Sequence, residues 1–150
     1  MFGALKGLLA EISGDDSRPL REPEQHQLHL AVAGLLHEMM RADLKETAEE
    51  RQAMQNALAT VFGLDAAAVK AVLDEVAAHR FTSYFGPVAT IKRMLSQDQR
   101  CALVEQFWLV AFSDGALHDY EDHFVRKIAH LLYVSNTDCM LARQRAKHRH

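Results

Sequence analysis

The sequence has little of what interrupts helices or cross-links a small fold. Of its 150 residues, seven are glycine, three are proline and two are cysteine. The alternation of apolar and polar residues that marks half-buried strands is nearly absent, whereas apolar residues recur every three or four positions almost throughout. The cysteines, Cys101 and Cys139, lack the spacing of a zinc site and are too few for a disulfide framework. We therefore predict a single all-α domain over residues 1–150, in a reducing, cytoplasmic compartment.

Long hydrophobic runs are also missing, because no apolar stretch reaches the roughly 20 residues that a membrane-spanning helix needs. Residues 2–12 show a short amphipathic helix pattern whose apolar stripe runs from Phe2 to Ile12. Acidic residues, beginning with Glu11, occupy the place where a secretion signal has its small-residue cleavage site, so we do not expect export. Residues 1–22 are predicted to be an N-terminal helix and linker, with peripheral membrane contact as one role of the stripe.

Charge is distributed unevenly along the chain. Seventeen basic residues stand against 20 acidic ones, for a formal net charge of −3, and four of the basic residues lie within 143–150. The rest of the chain is distinctly acidic, which disfavours nucleic acid as a partner and is compatible with binding of a cation or a basic protein. We interpret residues 143–150 as a basic, solvated tail, with a binding tail as the alternative.

The apolar periodicity predicts a multihelical bundle of about seven or eight helices. Two long apolar helices, at 24–41 and 96–112, are predicted to form its core. Thr47 and Glu50 have the spacing of a capping box at the start of a further helix. Asp65 is placed to cap the helix after that.

The second half of the chain repeats the first at a constant offset of 71 residues. At this offset Asp43 corresponds to Asp114, and Glu50 corresponds to Glu121. Most of the helix positions compared in this way pair apolar with apolar residues, as two helix-loop-helix units require when each buries its face against the other. The pattern favours two repeats around the two central helices, related by a pseudo-two-fold axis. Chance similarity between two amphipathic helices is the alternative.

The repeated stretches resemble the motif of TerB-like domains, a family associated with tellurite resistance. In residues 40–50 and 111–121, an apolar helix ends at a loop that contains aspartate, and a glutamate follows seven residues later. The resemblance covers roughly residues 24–145 and extends to the N-terminal-type helical domain of a DnaJ-like co-chaperone. It implies a bacterial, non-enzymatic, all-helical domain with an acidic, cation-binding surface. The first stretch departs from the motif because Leu44 replaces its glycine, so that loop is expected to turn differently.

The repeated carboxylates are the candidate metal site. Four of them supply the oxygen ligands that suit calcium, magnesium or manganese, namely Asp43, Glu50, Asp114 and Glu121. His118 and Asp119 are candidate additional ligands. An EF-hand is excluded, because its loop places several carboxylates within twelve residues. The alternative is structural, since a glutamate three residues after an N-cap residue stabilises a helix start without any metal.

Histidines and the single tryptophan are further candidates. His26 and His29 are three residues apart on one predicted helix, and His123 and His130 are seven apart on another, so each pair can share a face. Solvent exposure or hydrogen bonding is the favoured interpretation of all four. Trp108 lies inside an apolar helix and is predicted to be part of the core.

These observations favour a non-enzymatic TerB-type domain that is linked to tellurite or general stress and acts through a divalent cation and a protein or membrane partner. The alternative is a metal-free helical scaffold, in which the stripe from Phe2 to Ile12 docks on a partner, a membrane or the bundle itself. A metal-dependent hydrolase is a third hypothesis, because carboxylates around a metal can activate water. The sequence does not indicate an oligomeric state.

Overall fold

The computed structural model describes residues 20–42, 47–78, 84–113, 115 and 117–149, the side chains of 41 and 42 excepted. Within these ranges the chain forms seven helices and no strands. They are α1 (Glu22–Ala42), α2 (Ala48–Phe62), α3 (Ala66–Ala78), α4 (Phe85–Met94), α5 (Gln97–Ala111), α6 (Asp119–Leu131) and α7 (Asn136–Arg149). The predicted all-α multihelical bundle is confirmed. The helix predicted at residues 2–12 and most of its linker lie outside the described residues.

Local sequence signals set the ends of α2 and the start of α3. The Thr47 hydroxyl accepts a hydrogen bond from the backbone N–H of Glu50 at 3.1 Å, which begins α2 as predicted. After α2, Gly63 has a φ of 67°, the left-handed conformation that glycine adopts without a steric penalty. The Asp65 carboxylate then accepts from the N–H of Ala68 at 2.8 Å, so the predicted cap of α3 is confirmed.

The central helices α1 and α5 bury their side chains in the same register. Seven of the nine buried positions described in α1 have buried counterparts 71 residues later in α5, at 28/99, 32/103, 33/104, 35/106, 36/107, 39/110 and 40/111. The helices that pack most extensively on α1 are α3 and α4, while those on α5 are α7 and α2. The two central helices therefore pack mainly on different helices.

The correspondence between the halves extends to a third helix in each. The buried positions 69, 72 and 76 of α3 have buried counterparts in α7 at 139, 142 and 146, each 70 residues later. Asp65, which caps α3, likewise corresponds at this offset to Ser135, whose hydroxyl accepts from the N–H of Asp138 at 3.1 Å. The later half thus has one residue fewer between the corresponding positions of its second and third helices.

The basic residues at the C-terminus belong to α7, which corrects the prediction of a solvated tail. The final helix continues to Arg149. Arg145 Nε lies 2.5 Å from Glu105 Oε1, and Arg149 Nη1 lies 2.5 Å from Glu105 Oε2. The contact between α5 and α7 is the most extensive in the described part of the bundle. The prediction failed because the carboxylate that pairs these arginines lies on α5, remote in sequence.

Among the described helices, none by itself has both the length and the apolar composition to cross a membrane. α2 and α3 meet that test only as a pair, and a bend of 112° separates them.

Candidate functional site

Glu50 and Glu121 occupy the same position in α2 and α6, the third residue of each helix, and both are 0% exposed. Glu50 Oε1 accepts the backbone N–H of Thr47 at 3.2 Å, which completes the capping box. In α6 the N–H of His118 points to Glu121 Oε1 at 3.4 Å, a longer and weaker bond. Both glutamates therefore have the capping role that the sequence offered as the structural alternative.

A capping box uses only one oxygen of a carboxylate. Glu50 Oε2 is buried and has no hydrogen-bond partner among the described residues. Buried polar atoms are nearly always satisfied, and an ionised carboxylate is costly to remove from water without a counter-charge. The capping role therefore leaves Glu50 Oε2 unexplained, and an oxygen of this kind is what a divalent cation takes as a ligand.

The remaining predicted ligands are distributed differently. Asp43 and Asp114 lie outside the described residues, so the prediction that they complete the two acidic pairs stays a prediction. His118 and Asp119 are exposed at the start of α6. Within the described ranges, no group of three or more His, Cys, Asp or Glu side chains is arranged to hold a metal. A cation site at Glu50 or Glu121 would therefore need ligands from outside the described residues, such as Asp43 or Asp114.

The contribution of the Thr47 cap to the capping box can be measured separately from any cation. Replacing Thr47 by alanine removes the hydroxyl that accepts the Glu50 N–H, so we expect the free energy of unfolding to fall by about 1 kcal/mol. Thr60→Ala, within the same helix and away from the cap, is the matched control and should change stability much less. Chemical denaturation of the three proteins tests this. Equal losses for both substitutions would show that the capping box contributes nothing.

His26 and His29 both contact residues of neighbouring helices. His26 Nε2 lies 3.0 Å from Glu75 Oε1, which links α1 to α3. The His29 ring packs at 4.3 Å from the Phe62 ring, and burial, with a smaller effect of His26, lowers the pKa of His29 to about 4. His29 is thus held as a neutral ring against an aromatic neighbour.

Trp108 and Cys101 are two further side chains of α5 whose chemistry could matter. Trp108 is fully buried, as predicted, and its Nε1–H donates to the carbonyl of Cys139 at 3.2 Å. Burial raises the pKa of the Cys101 thiol, and Asp138, whose carboxylate lies 3.9 Å from the sulfur, raises it further. A raised pKa disfavours the thiolate, so Cys101 is a poor candidate for a nucleophile.

A groove of about 640 Å³ lies between α2 and α3, beside α1, and no sequence pattern indicated it. Met54 and Val69 form a buried apolar floor, and Leu73 is half-buried in the wall that α3 provides. His37 of α1 also lines the groove.

Charged side chains stand at the edges of this groove. Arg51 lies on the α2 side, and Lys70 on the α3 side pairs with Asp74 at 2.9 Å. The groove therefore combines an apolar interior with a polar rim, which is the usual composition of a binding surface.

The corresponding region of the second half is filled by the protein's own side chains. At the offsets given above, His37 corresponds to Trp108, Arg51 to Asp122 and Leu73 to Arg143. The Arg143 guanidinium lies 5.6 Å from the Trp108 ring centroid, and its Nε lies 3.6 Å from Asp122 Oδ1. An indole and a guanidinium thus join α5, α6 and α7, where the first half has an imidazole and a leucine. The pairs 37/108 and 51/122 can be compared at the 71-residue offset, but Leu73 and Arg143 cannot, because the offset changes to 70 before α3.

An all-α bundle in which a long apolar helix leads, in each half, to a helix with a buried N-terminal glutamate has the architecture expected of a TerB-type helical domain. The family model for "Tellurite resistance protein TerB" matches residues 29–144, which is most of the chain. The chain therefore belongs to the TerB family, as the motif resemblance implied. No curated protein and no solved structure matches it.

Proposed function

We propose that this TerB-family domain is non-enzymatic and binds a divalent cation through the repeated acidic pairs. The ligands would be Asp43 with Glu50 in the first half, and Asp114 with Glu121 in the second, with His118 and Asp119 as additional ligands. Calcium, magnesium and manganese are the candidate ions, because carboxylate oxygens are the ligands that these hard cations prefer. The observation that carries the proposal is the buried Glu50 Oε2, which the capping box leaves without a partner among the described residues.

The matched positions of Glu50 and Glu121 support two related sites. Both side chains are fully buried at the third position of a helix, and each follows one of the predicted aspartates by seven residues in the sequence. The shared burial register of the two halves is what a gene duplication would produce, and we infer that the halves are such a repeat. On this inference, the first of the two repeated stretches departs further from the family motif, because it has Leu44 where the second has Gly115.

Isothermal calorimetry on the metal-stripped protein tests the proposal. We expect saturable binding of at least one of calcium, magnesium and manganese, and a loss of about tenfold or more in affinity for Glu50→Gln and for Glu121→Gln, since affinity follows ligand charge. Glu49→Gln is the matched control, because Glu49 precedes Glu50 in the same helix turn but is exposed. Asp43→Asn and Asp114→Asn test the two remaining ligands.

The outcomes separate a cation site from a purely structural role. Binding that disappears in the Glu50, Glu121, Asp43 and Asp114 variants but not in Glu49→Gln supports the proposal. Absence of binding for all three ions would assign the glutamates to helix capping alone and favour the metal-free scaffold.

The cellular role that we propose follows the family, in tellurite or general stress resistance, in the cytoplasm and with a protein or peripheral membrane partner. Family membership supports the first part, and the partner stays a prediction. A screen for hydrolase activity with added manganese checks the non-enzymatic assignment. Metal-dependent turnover that Glu121→Gln abolishes would contradict it.

A further inference from the structure

We propose that the groove between α2 and α3 is the docking site of the chain's own N-terminal segment, residues 2–12. The proposal is independent of the cation sites. It assigns a place to the apolar stripe from Phe2 to Ile12, for which the sequence left a partner, a membrane or the bundle itself as alternatives.

The second half shows what this region of the fold accommodates. There the Trp108 indole of α5 donates to the Cys139 carbonyl of α7 and lies 5.6 Å from the Arg143 guanidinium. These helices correspond to α1 and α3, which border the groove. In the first half, His37 and Leu73 stand at these positions and leave about 640 Å³ open. A region that encloses a large ring in one half is suited to take apolar side chains from elsewhere in the other, because burial of apolar area is the main driving force for such docking.

The N-terminal segment matches the groove in length and in pattern. Along α3 the lining runs from Ala66 to Ala77, which is about 16 Å at the helical rise of 1.5 Å per residue. A helix over residues 2–12 has nearly the same length. Its apolar residues fall on one face, at Phe2, Leu5, Leu8, Leu9 and Ile12. This spacing is that of an amphipathic helix lying in a groove.

The chain also enters the described fold within reach of the groove. α1 begins at Glu22, and His26 in its second turn is 3.0 Å from Glu75, the neighbour of Asp74 on the groove wall. The connecting residues 13–19 span up to about 23 Å when extended. A tether this short raises the effective concentration of the segment at the groove to about the millimolar range, which favours docking within one molecule.

Charges at the edges are compatible with this arrangement. Lys6 and Glu11 flank the apolar stripe on opposite sides, about 95° and about 125° from its centre at 100° per residue. The groove presents Arg51 on one side, and Lys70 with Asp74 on the other. The rim therefore carries charges of both signs, as the segment does.

Cysteine labelling in the full-length chain tests the proposal. In a Cys101→Ser background, the thiol introduced by Ala77→Cys reports on the groove, and the thiol introduced by Ala71→Cys reports on an exposed face of α3 outside the groove. Each is combined with Leu5→Glu/Leu9→Glu, which places charge in the stripe. The matched control is Gly7→Glu/Ala10→Glu, which adds the same charge on the opposite face of the segment. Circular dichroism confirms that all variants are folded.

We expect Leu5→Glu/Leu9→Glu to raise the alkylation rate at Ala77→Cys by about tenfold or more, which corresponds to docking worth at least about 1.4 kcal/mol. The rate at Ala71→Cys should not change, and the control pair should change neither. Equal rates at Ala77→Cys in all N-terminal variants would overturn the proposal, and vesicle association of the same full-length protein would then assign the stripe to a membrane. Protection that falls on dilution, with a dimer mass by light scattering, would overturn it in favour of docking on a second copy.

Discussion

Replacing Trp108 by alanine is expected to lower the free energy of unfolding by about 3–5 kcal/mol, the range for truncation of a large buried aromatic side chain. Trp108 is fully buried in α5, and its indole N–H donates to the Cys139 carbonyl of α7. Its ring also lies below the Arg143 guanidinium, which pairs with Asp122 of α6. The substitution therefore removes packing at the junction of α5, α6 and α7. It leaves a cavity in the space that the indole occupies.

Urea denaturation followed by circular dichroism measures this loss, because the chain has a single tryptophan and the variant has no indole fluorescence. Trp108→Phe is the matched control. It keeps most of the ring but loses the N–H donor, so we expect a smaller loss, about 1–2 kcal/mol. A loss below about 1 kcal/mol for Trp108→Ala would mean that this part of the core relaxes around the cavity, contrary to our interpretation.

Acidification is expected to destabilise the protein through His29. Its pKa is lowered from 6.5 to about 4 in the folded state, mainly by burial. Between these two values the unfolded chain binds a proton at His29 and the folded protein does not, so stability falls as the pH falls from about 6.5 to about 4. The contribution is at most about 3.4 kcal/mol, because a pKa difference of one corresponds to about 1.36 kcal/mol. Above pH 6.5 the ring is neutral in both states, and this contribution to stability is fully present.

The measurement is the free energy of unfolding as a function of pH for the wild type and for His29→Gln. Carboxylates titrate in part of the same range, so the difference between the two curves, and not either curve alone, reports on His29. His148→Gln is the control, because His148 is exposed near the end of α7 and does not contribute to the lowered pKa of His29. We expect the His29→Gln curve to be flatter between pH 6.5 and 4. Parallel curves would show that His29 is protonated in the folded protein as readily as in the unfolded chain.

Features that depend on near neighbours in sequence were predicted well. The capping box of Thr47 and Glu50 and the cap at Asp65 each involve residues three apart, so their hydrogen bonds are readable from the chain itself. The central helices were also found, because a helix that is buried in a bundle must repeat apolar residues at helical spacing. The prediction did not extend the repeat to α3 and α7, since the one-residue change of offset interrupted the comparison.

Features that depend on distant residues were not predicted. The pairing of Arg145 and Arg149 with Glu105 joins positions 40 and 44 residues apart, so a basic cluster was interpreted as a solvated tail. The same holds for the candidate site, where the sequence identified Glu50 and Glu121 as ligands or caps but could not show that both are fully buried. Burial is decided by which helices pack over a side chain, and that is a property of the whole bundle.

The sequence by itself determined the helical class of this protein, the approximate bounds of its two central helices, the starts of α2 and α3, its family motif and the matching positions of Glu50 and Glu121. These follow from periodicity and from hydrogen bonds between near neighbours. Only the tertiary structure decided that Glu50 Oε2 is buried without a partner in the described part of the chain, and that Trp108 and Arg143 fill in one half what remains an open groove in the other. The physical reason is that burial, desolvation and open volume arise from helices far apart in the chain, whose packing no local pattern specifies.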